Sequence, residues 1–193
     1  MNQQSDHTNC SHELIGALTE LLRMGIVDQF PAPRVEIGDS EHLLEALHAM
    51  RPKLGELSLF DGFAYIVKGH WHDAIGVFET LVARSLCMPA SRAMLVYCLS
   101  SSGNSDWCIA ASQALDETLS PDANLLINSI TARQDLKQAR LDAAASGQFV
   151  MPESLRPFID TTASAPVDVA SAHAGGGADR MRMEVQQHGY LRL

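Results

Sequence analysis

The chain has 193 residues, 46% of them hydrophobic and 6% aromatic, with a formal charge of −9. That length gives one ordinary domain plus an appendage, and the composition is that of a helical globular protein. The acidic balance argues against nucleic acid or an anionic membrane as the main partner.

Residues 1–11 are polar and read as a mobile N-terminus. They show neither a basic nor an apolar region of a Sec-type signal, so the expected compartment is the cytoplasm. Over 12–25, Leu14, Ile15, Leu18, Leu21 and Leu22 mark an amphipathic helix, with Gly25 as its expected stop. "VDQFPAPRVEIGD" holds two prolines and reads as a connecting loop. Ser40 is the expected cap of a second helix, ended by Pro52, with Leu43, Leu44, Leu47 and Met50 on one face. Helical patterning continues over 55–68, 71–85, 90–101, 105–118 and 122–146, broken at Gly69, Pro89, Gly103-Asn104 and Pro121. No stretch alternates long enough for a strand, and no apolar run reaches the ~18 residues of a membrane helix. From Gly147 on, the composition turns to Ala, Ser, Pro and Gly. Residues 147–193 therefore read as a mostly disordered tail, in which 181–193 regain some apolar character.

The helical segments repeat. Gly69 and Gly103 lie 34 residues apart, a spacing typical of helix-pair repeats. At that offset Tyr65 falls on Leu99, Ala74 on Cys108 and Leu81 on Leu115, while one offset back Phe78 and Leu81 fall on Leu44 and Leu47. Small residues let the second helix of a pair approach the first, bulky ones fill the seam, and stacked pairs bury a shared core. The two glycines suit positive φ at the end of the first helix of each pair. The predicted fold is therefore all-α: about three helix pairs over 12–146 with a closing helix.

Gly62, Tyr65, Gly69, Ala74 and Phe78 resemble the tetratricopeptide consensus, although Ser58 takes its tryptophan position and Ser112 replaces the phenylalanine of the third unit. More narrowly, "LRMGIVDQF", "DGFAYIVKGHWHDAIGVFETL" and the proline-punctuated layout over roughly residues 12–145 resemble the Hrp-type small type III secretion proteins. That resemblance implies similarity to the tetratricopeptide-like co-chaperones that keep needle or pilus subunits soluble. The implied partner is a type III secretion subunit or co-chaperone, with oligomerisation open.

Chemical alternatives fare poorly. Cys10, Cys87, Cys98 and Cys108 include no CxxC pair and read as free thiols in a reducing compartment. His70 and His72 flank Trp71 just after a helix end, without the further ligands a metal needs. Glu45 and His48 have the Glu-x-x-His spacing of helical di-iron sites, but with His42 they lie opposite the leucine face, pointing out of the bundle. "SSSGNSD" lacks a nucleophile elbow, and "AHAGGGAD" is a low-complexity linker rather than a phosphate loop. No cofactor, no metal and no enzyme are expected.

What stands out is the inner face. The resemblance places Leu59, Phe63, Ile66, Val67, Ala93 and Tyr97 along the concave side of the second and third pairs, where they would form an apolar groove. Such a strip suits the hydrophobic face of an amphipathic helix. Periodicity does not separate an open groove from one covered by the first helix pair or by residues 181–193. The leading expectation is a type III secretion chaperone or assembly protein that binds a helix of a filament or needle subunit. The alternative is a structural scaffold of the apparatus, periplasmic or cell-wall associated.

Overall fold

Ser11 starts the first helix. Its Oγ accepts from the Leu14 backbone N–H at 3.2 Å, with Glu13 in the first turn against the positive end of the helix. The computed structural model describes residues 10–117 and 120–163. The described residues contain eight α-helices and no strand: α1 His12–Leu22, α2 Ile37–Met50, α3 Leu57–Val67, α4 Trp71–Ala83, α5 Ala90–Ser102, α6 Trp107–Asp116, α7 Pro121–Ser146 and α8 Arg156–Ala163. Consecutive helices pack against one another from α1 through α6. The chain divides into two units, one ending at Ile130 and the other starting at Thr131, inside α7.

Two expectations about helix limits are corrected. Gly25 does not stop the first helix: a π-helical turn, Arg23–Val27, carries it on and buries Ile26 and Val27. Ser40 does not cap α2, which starts a turn earlier at Ile37; Ser40 is buried inside it. Both glycine predictions about helix ends hold. Gly69 and Gly103 have φ of +74° and +78°, and each closes its helix with paired bonds: His70 N–H to Tyr65 O and Gly69 N–H to Ile66 O, then Asn104 N–H to Leu99 O and Gly103 N–H to Ser100 O. Ser85 adopts the same conformation after α4, with φ +53° and without being glycine.

The core of the first unit is built from α1, the π turn and α2–α5, around Leu22, Ile26, Leu47, Phe63, Phe78 and Leu81. A smaller cluster joins α5, α6 and α7 through Val96, Ala111, Ala114 and Ile127. Gly62 explains how α3 and α4 approach so closely, because a Cβ there would lie 2.5 Å from Phe78 Cζ. The 34-residue register fails in α6. That helix begins four residues after Gly103, whereas α4 begins two after Gly69, so Trp107 takes the place of Trp71 and Ala114 that of Phe78. Cys108 and Leu115, the expected counterparts of Ala74 and Leu81, are consequently exposed.

In the second unit, the end of α7 turns at Gly147 into an extended stretch and then a 3₁₀ turn, Glu153–Leu155, that leads into α8. Ser154 donates to Asp135 at 2.7 Å, tying this return to α7. Within the stretch expected to be mostly disordered, 153–163 are thus helical. Residues 164–193, including the apolar 181–193, lie outside the described residues, as do 1–9 of the expected mobile N-terminus.

Candidate functional site

The first helices of successive pairs, α3 and α5, together with the start of α7, face a common space in the first unit. Helix α3 is apolar almost all round, as a helix flanked on several sides must be. Helix α7 is started by Ser120, whose Oγ accepts from Ala123 N–H at 3.3 Å, with Pro121 in the first turn where its missing N–H costs nothing. Ala123 and Leu126 are thereby presented toward α5.

Between these helices lies a cavity of about 30 Å³. Its walls are Val27 and Phe30 from the first helix pair, Phe63 of α3, Ala90, Ala93 and Met94 of α5, and Asp122, Ala123 and Leu126 of α7. The lining is apolar apart from Asp122 at its edge.

Phe30 closes this space. Its ring meets Phe63 and Tyr97 edge-on, with centroids 5.4 Å from each and planes inclined at 78° and 73°. Phe63 in turn meets Phe78 at 6.3 Å, and Tyr97 meets Trp71 at 6.2 Å. The result is a continuous line of five rings, Phe78–Phe63–Phe30–Tyr97–Trp71, in which Phe30 is the middle link. Edge-to-face pairs of this kind contribute about 0.5–1.5 kcal/mol each beyond the area they bury.

The expected groove residues are therefore divided. Phe63, Ile66 and Ala93 are buried, at 1%, 5% and 2% exposure. Leu59, Val67 and Tyr97 are half-buried. Phe63 and Ala93 line the cavity and Tyr97 reaches it through Phe30, but Leu59, Ile66 and Val67 do not line it. Val27 and Phe30, which follow α1, stand against Phe63 and Ala93 in the walls of the cavity, while residues 181–193 lie outside the described residues. Phe30, Met94 and Leu126 were not among the expected site residues. The available signal was Phe30 itself, a large aromatic in a proline-bounded loop with no helical period to place it.

The polar surroundings are modest. His48 Nε2 lies 2.9 Å from Asp61 Oδ2, joining α2 to α3. Burial pushes the Asp61 carboxyl above the usual carboxylate range, and His48 opposes that rise. His70 and His72 are exposed, and the His70 ring stacks near Tyr65 at 6.3 Å. Trp71 is half-buried against Tyr97. Among the described residues no three His, Cys, Asp or Glu side chains gather as metal ligands would, and no helix is long and apolar enough to cross a membrane.

Residues 5–136 match the family of bacterial type III secretion proteins (HrpB1_HrpK), and the chain belongs to that family. No curated protein and no solved structure matches it.

Proposed function

We propose that this type III secretion protein is a chaperone or assembly factor that holds an amphipathic helix of a secreted filament or needle subunit. It would mask the apolar face by which that subunit polymerises. The observation that carries this reading is the apolar cavity between α3, α5 and α7, walled by Phe63, Ala93, Met94 and Leu126 in a family whose members serve secretion. Helix-in-groove recognition needs a concave apolar floor with anchors spaced about one helical turn apart. In the tetratricopeptide-like arrangement the first helices of the pairs provide such a floor. Phe63 and Ala93 would form the floor and half-buried Tyr97 the rim, while Leu59, Ile66 and Val67 lie outside the cavity's lining. The protein binds rather than catalyses, and works in the cytoplasm.

The test is purification of tagged protein from its native bacterium, with mass spectrometry of what co-elutes. A small helical secretion subunit in near-equal amount, lost in Tyr97→Asp with helicity unchanged by circular dichroism, supports the reading. Membrane-ring or cell-wall components without such a subunit would sink it.

The second reading is a scaffold of the secretion apparatus on the cell-wall side of the inner membrane. It is favoured by the exposed run Phe149, Val150 and Met151, at 52%, 69% and 53%, which lies beyond the residues shared with the family. Adjacent exposed apolar side chains offer surface that a neighbouring component of the apparatus could cover. Cell fractionation separates the two.

A further inference from the structure

The proposed floor is closed by the chain's own Phe30, so a partner has to compete with it. We propose that Phe30 stands in for the partner's anchor: the site takes an aromatic side chain between Phe63 and Tyr97, and the loop around Phe30 lifts to admit it. This deepens the protein-binding reading above and rests on it.

Three observations carry the inference. The first is the shape of the seat. Two rings on different helices, Phe63 on α3 and Tyr97 on α5, each stand 5.4 Å from the Phe30 centroid and nearly perpendicular to its plane. Such a slot favours a flat aromatic ring over a branched aliphatic chain, because the edge-to-face geometry uses the ring quadrupole. The second is that the seat is underfilled. The cavity of about 30 Å³ lies beside Phe30, reaching Met94 and Leu126, so a slightly larger anchor gains contacts that Phe30 does not make.

The third is how the loop is held. Asp28 N–H bonds to Arg23 O, Phe30 N–H to Val27 O, Ala32 N–H to Gln29 O, and Arg34 N–H to Gln29 Oε1. The Asp28 carboxylate pairs with Arg23. Among the described residues, the hydrogen bonds and ion pairs of 28–34 thus close locally, and the Phe30 ring packs against Phe63 of α3 and Tyr97 of α5. Lifting it therefore breaks side-chain packing but no distant backbone hydrogen bond. The loop follows the π turn Arg23–Val27 and contains Pro31 and Pro33, whose missing N–H groups leave it fewer backbone bonds to break. Phe30 is half-buried, unlike Phe63 and Phe78, so it has less apolar contact to give up.

Competition of this kind lowers apparent affinity by the fraction of molecules in which the seat is open. Removing the Phe30 ring should remove that penalty.

The test uses the full chain and a set of synthetic amphipathic helical peptides that differ at one anchor position: Trp, Phe, Leu or Ala. Phe30→Ala should retain its helical circular dichroism and bind the Trp and Phe peptides about tenfold or more tighter than the wild type does. The Leu peptide should bind more weakly and the Ala peptide weakest. In the wild type, the amides of 28–34 should exchange with deuterium far faster than those of α3 and α5. Equal affinity of wild type and Phe30→Ala, or indifference to the anchor, would overturn the proposal. If Phe30→Ala does not fold, exchange in the wild type decides: fast local opening of 28–34 supports a liftable plug, and protection equal to that of α3 makes Phe30 ordinary core. Should the peptides bind as described while no secretion subunit co-purifies from the bacterium, the seat stands and the chaperone reading falls.

Discussion

Gly62 and Gly76 offer the same substitution with opposite expected signs. Both lie inside helices, where alanine is favoured over glycine by about 0.8–1.0 kcal/mol. Gly76 is exposed on α4, and a Cβ there meets nothing within 4 Å. Gly76→Ala should therefore stabilise the protein by about 0.5–1 kcal/mol. At Gly62 the new methyl group would lie 2.5, 2.8 and 3.0 Å from Cζ, Cε2 and Cε1 of Phe78. Carbon atoms prefer about 3.5–4.0 Å, so the ring must retreat by about 1 Å. Phe78 is fully buried and backed edge-on by Phe63, with centroids 6.3 Å apart, so the displacement propagates into the line of rings. Overpacking of such a site costs about 2–3 kcal/mol, against which the helix-propensity gain of about 1 kcal/mol is smaller. The net expectation for Gly62→Ala is a loss of about 1–2 kcal/mol, or several degrees in Tm for a chain of this size. Urea unfolding followed by circular dichroism measures both variants, with an unchanged slope confirming that only stability has moved. Shortening the ring in Gly62→Ala/Phe78→Leu should recover part of the loss, giving a double-mutant coupling of about 1 kcal/mol or more. If Gly62→Ala matches or exceeds the stability of the wild type, the close approach of α3 and α4 argued here is wrong.

Ser85 closes α4 at φ +53°, a conformation that disfavours a side chain by about 1–2 kcal/mol; Ser85→Gly should stabilise by about 0.5–1 kcal/mol in the same urea assay. Burial holds the Cys98 thiol proton until about pH 12, whereas the unfolded chain releases it near 9.0. Between these values the unfolded state binds fewer protons, so the contribution of Cys98 is intact below 9.0 and is lost as pH rises toward 12. The loss should approach about 1.4 kcal/mol per pH unit and be absent in Cys98→Ala; a flat profile in the wild type would refute it. A thiol reagent at neutral pH should modify exposed Cys108 rapidly and buried Cys98 only on unfolding, which peptide mapping checks. Phe63→Asp should abolish the fold along with any binding, because it buries an unpaired charge at a residue 1% exposed; a variant with full helicity would show that Phe63 is accessible after all.

Sequence alone settled what depends on near neighbours. Apolar spacing of three and four, broken by Gly69, Pro89, Gly103 and Pro121, located the helices from 57 to 146 because helix hydrogen bonds close within a turn. The positive φ at Gly69 and Gly103 followed for the same reason: the paired bonds that end α3 and α5 are local. The resemblance to type III secretion proteins was likewise read from short linear patterns, and residues 5–136 match that family. Tertiary structure decided whatever depended on groups far apart in the chain. Two extra loop residues after Gly103 rotate α6, exposing Cys108 and Leu115 and burying Ala114, a shift that a fixed offset of 34 hides. His48 turned out to meet Asp61 across two helices rather than only solvent. Above all, whether Phe63 and Ala93 form a groove or a core is a question of what stands against them, and Phe30, which does so, lies 33 residues before one and 63 before the other. Helical period fixes which side a residue faces, but it carries no information about a loop residue that reaches in from another part of the chain.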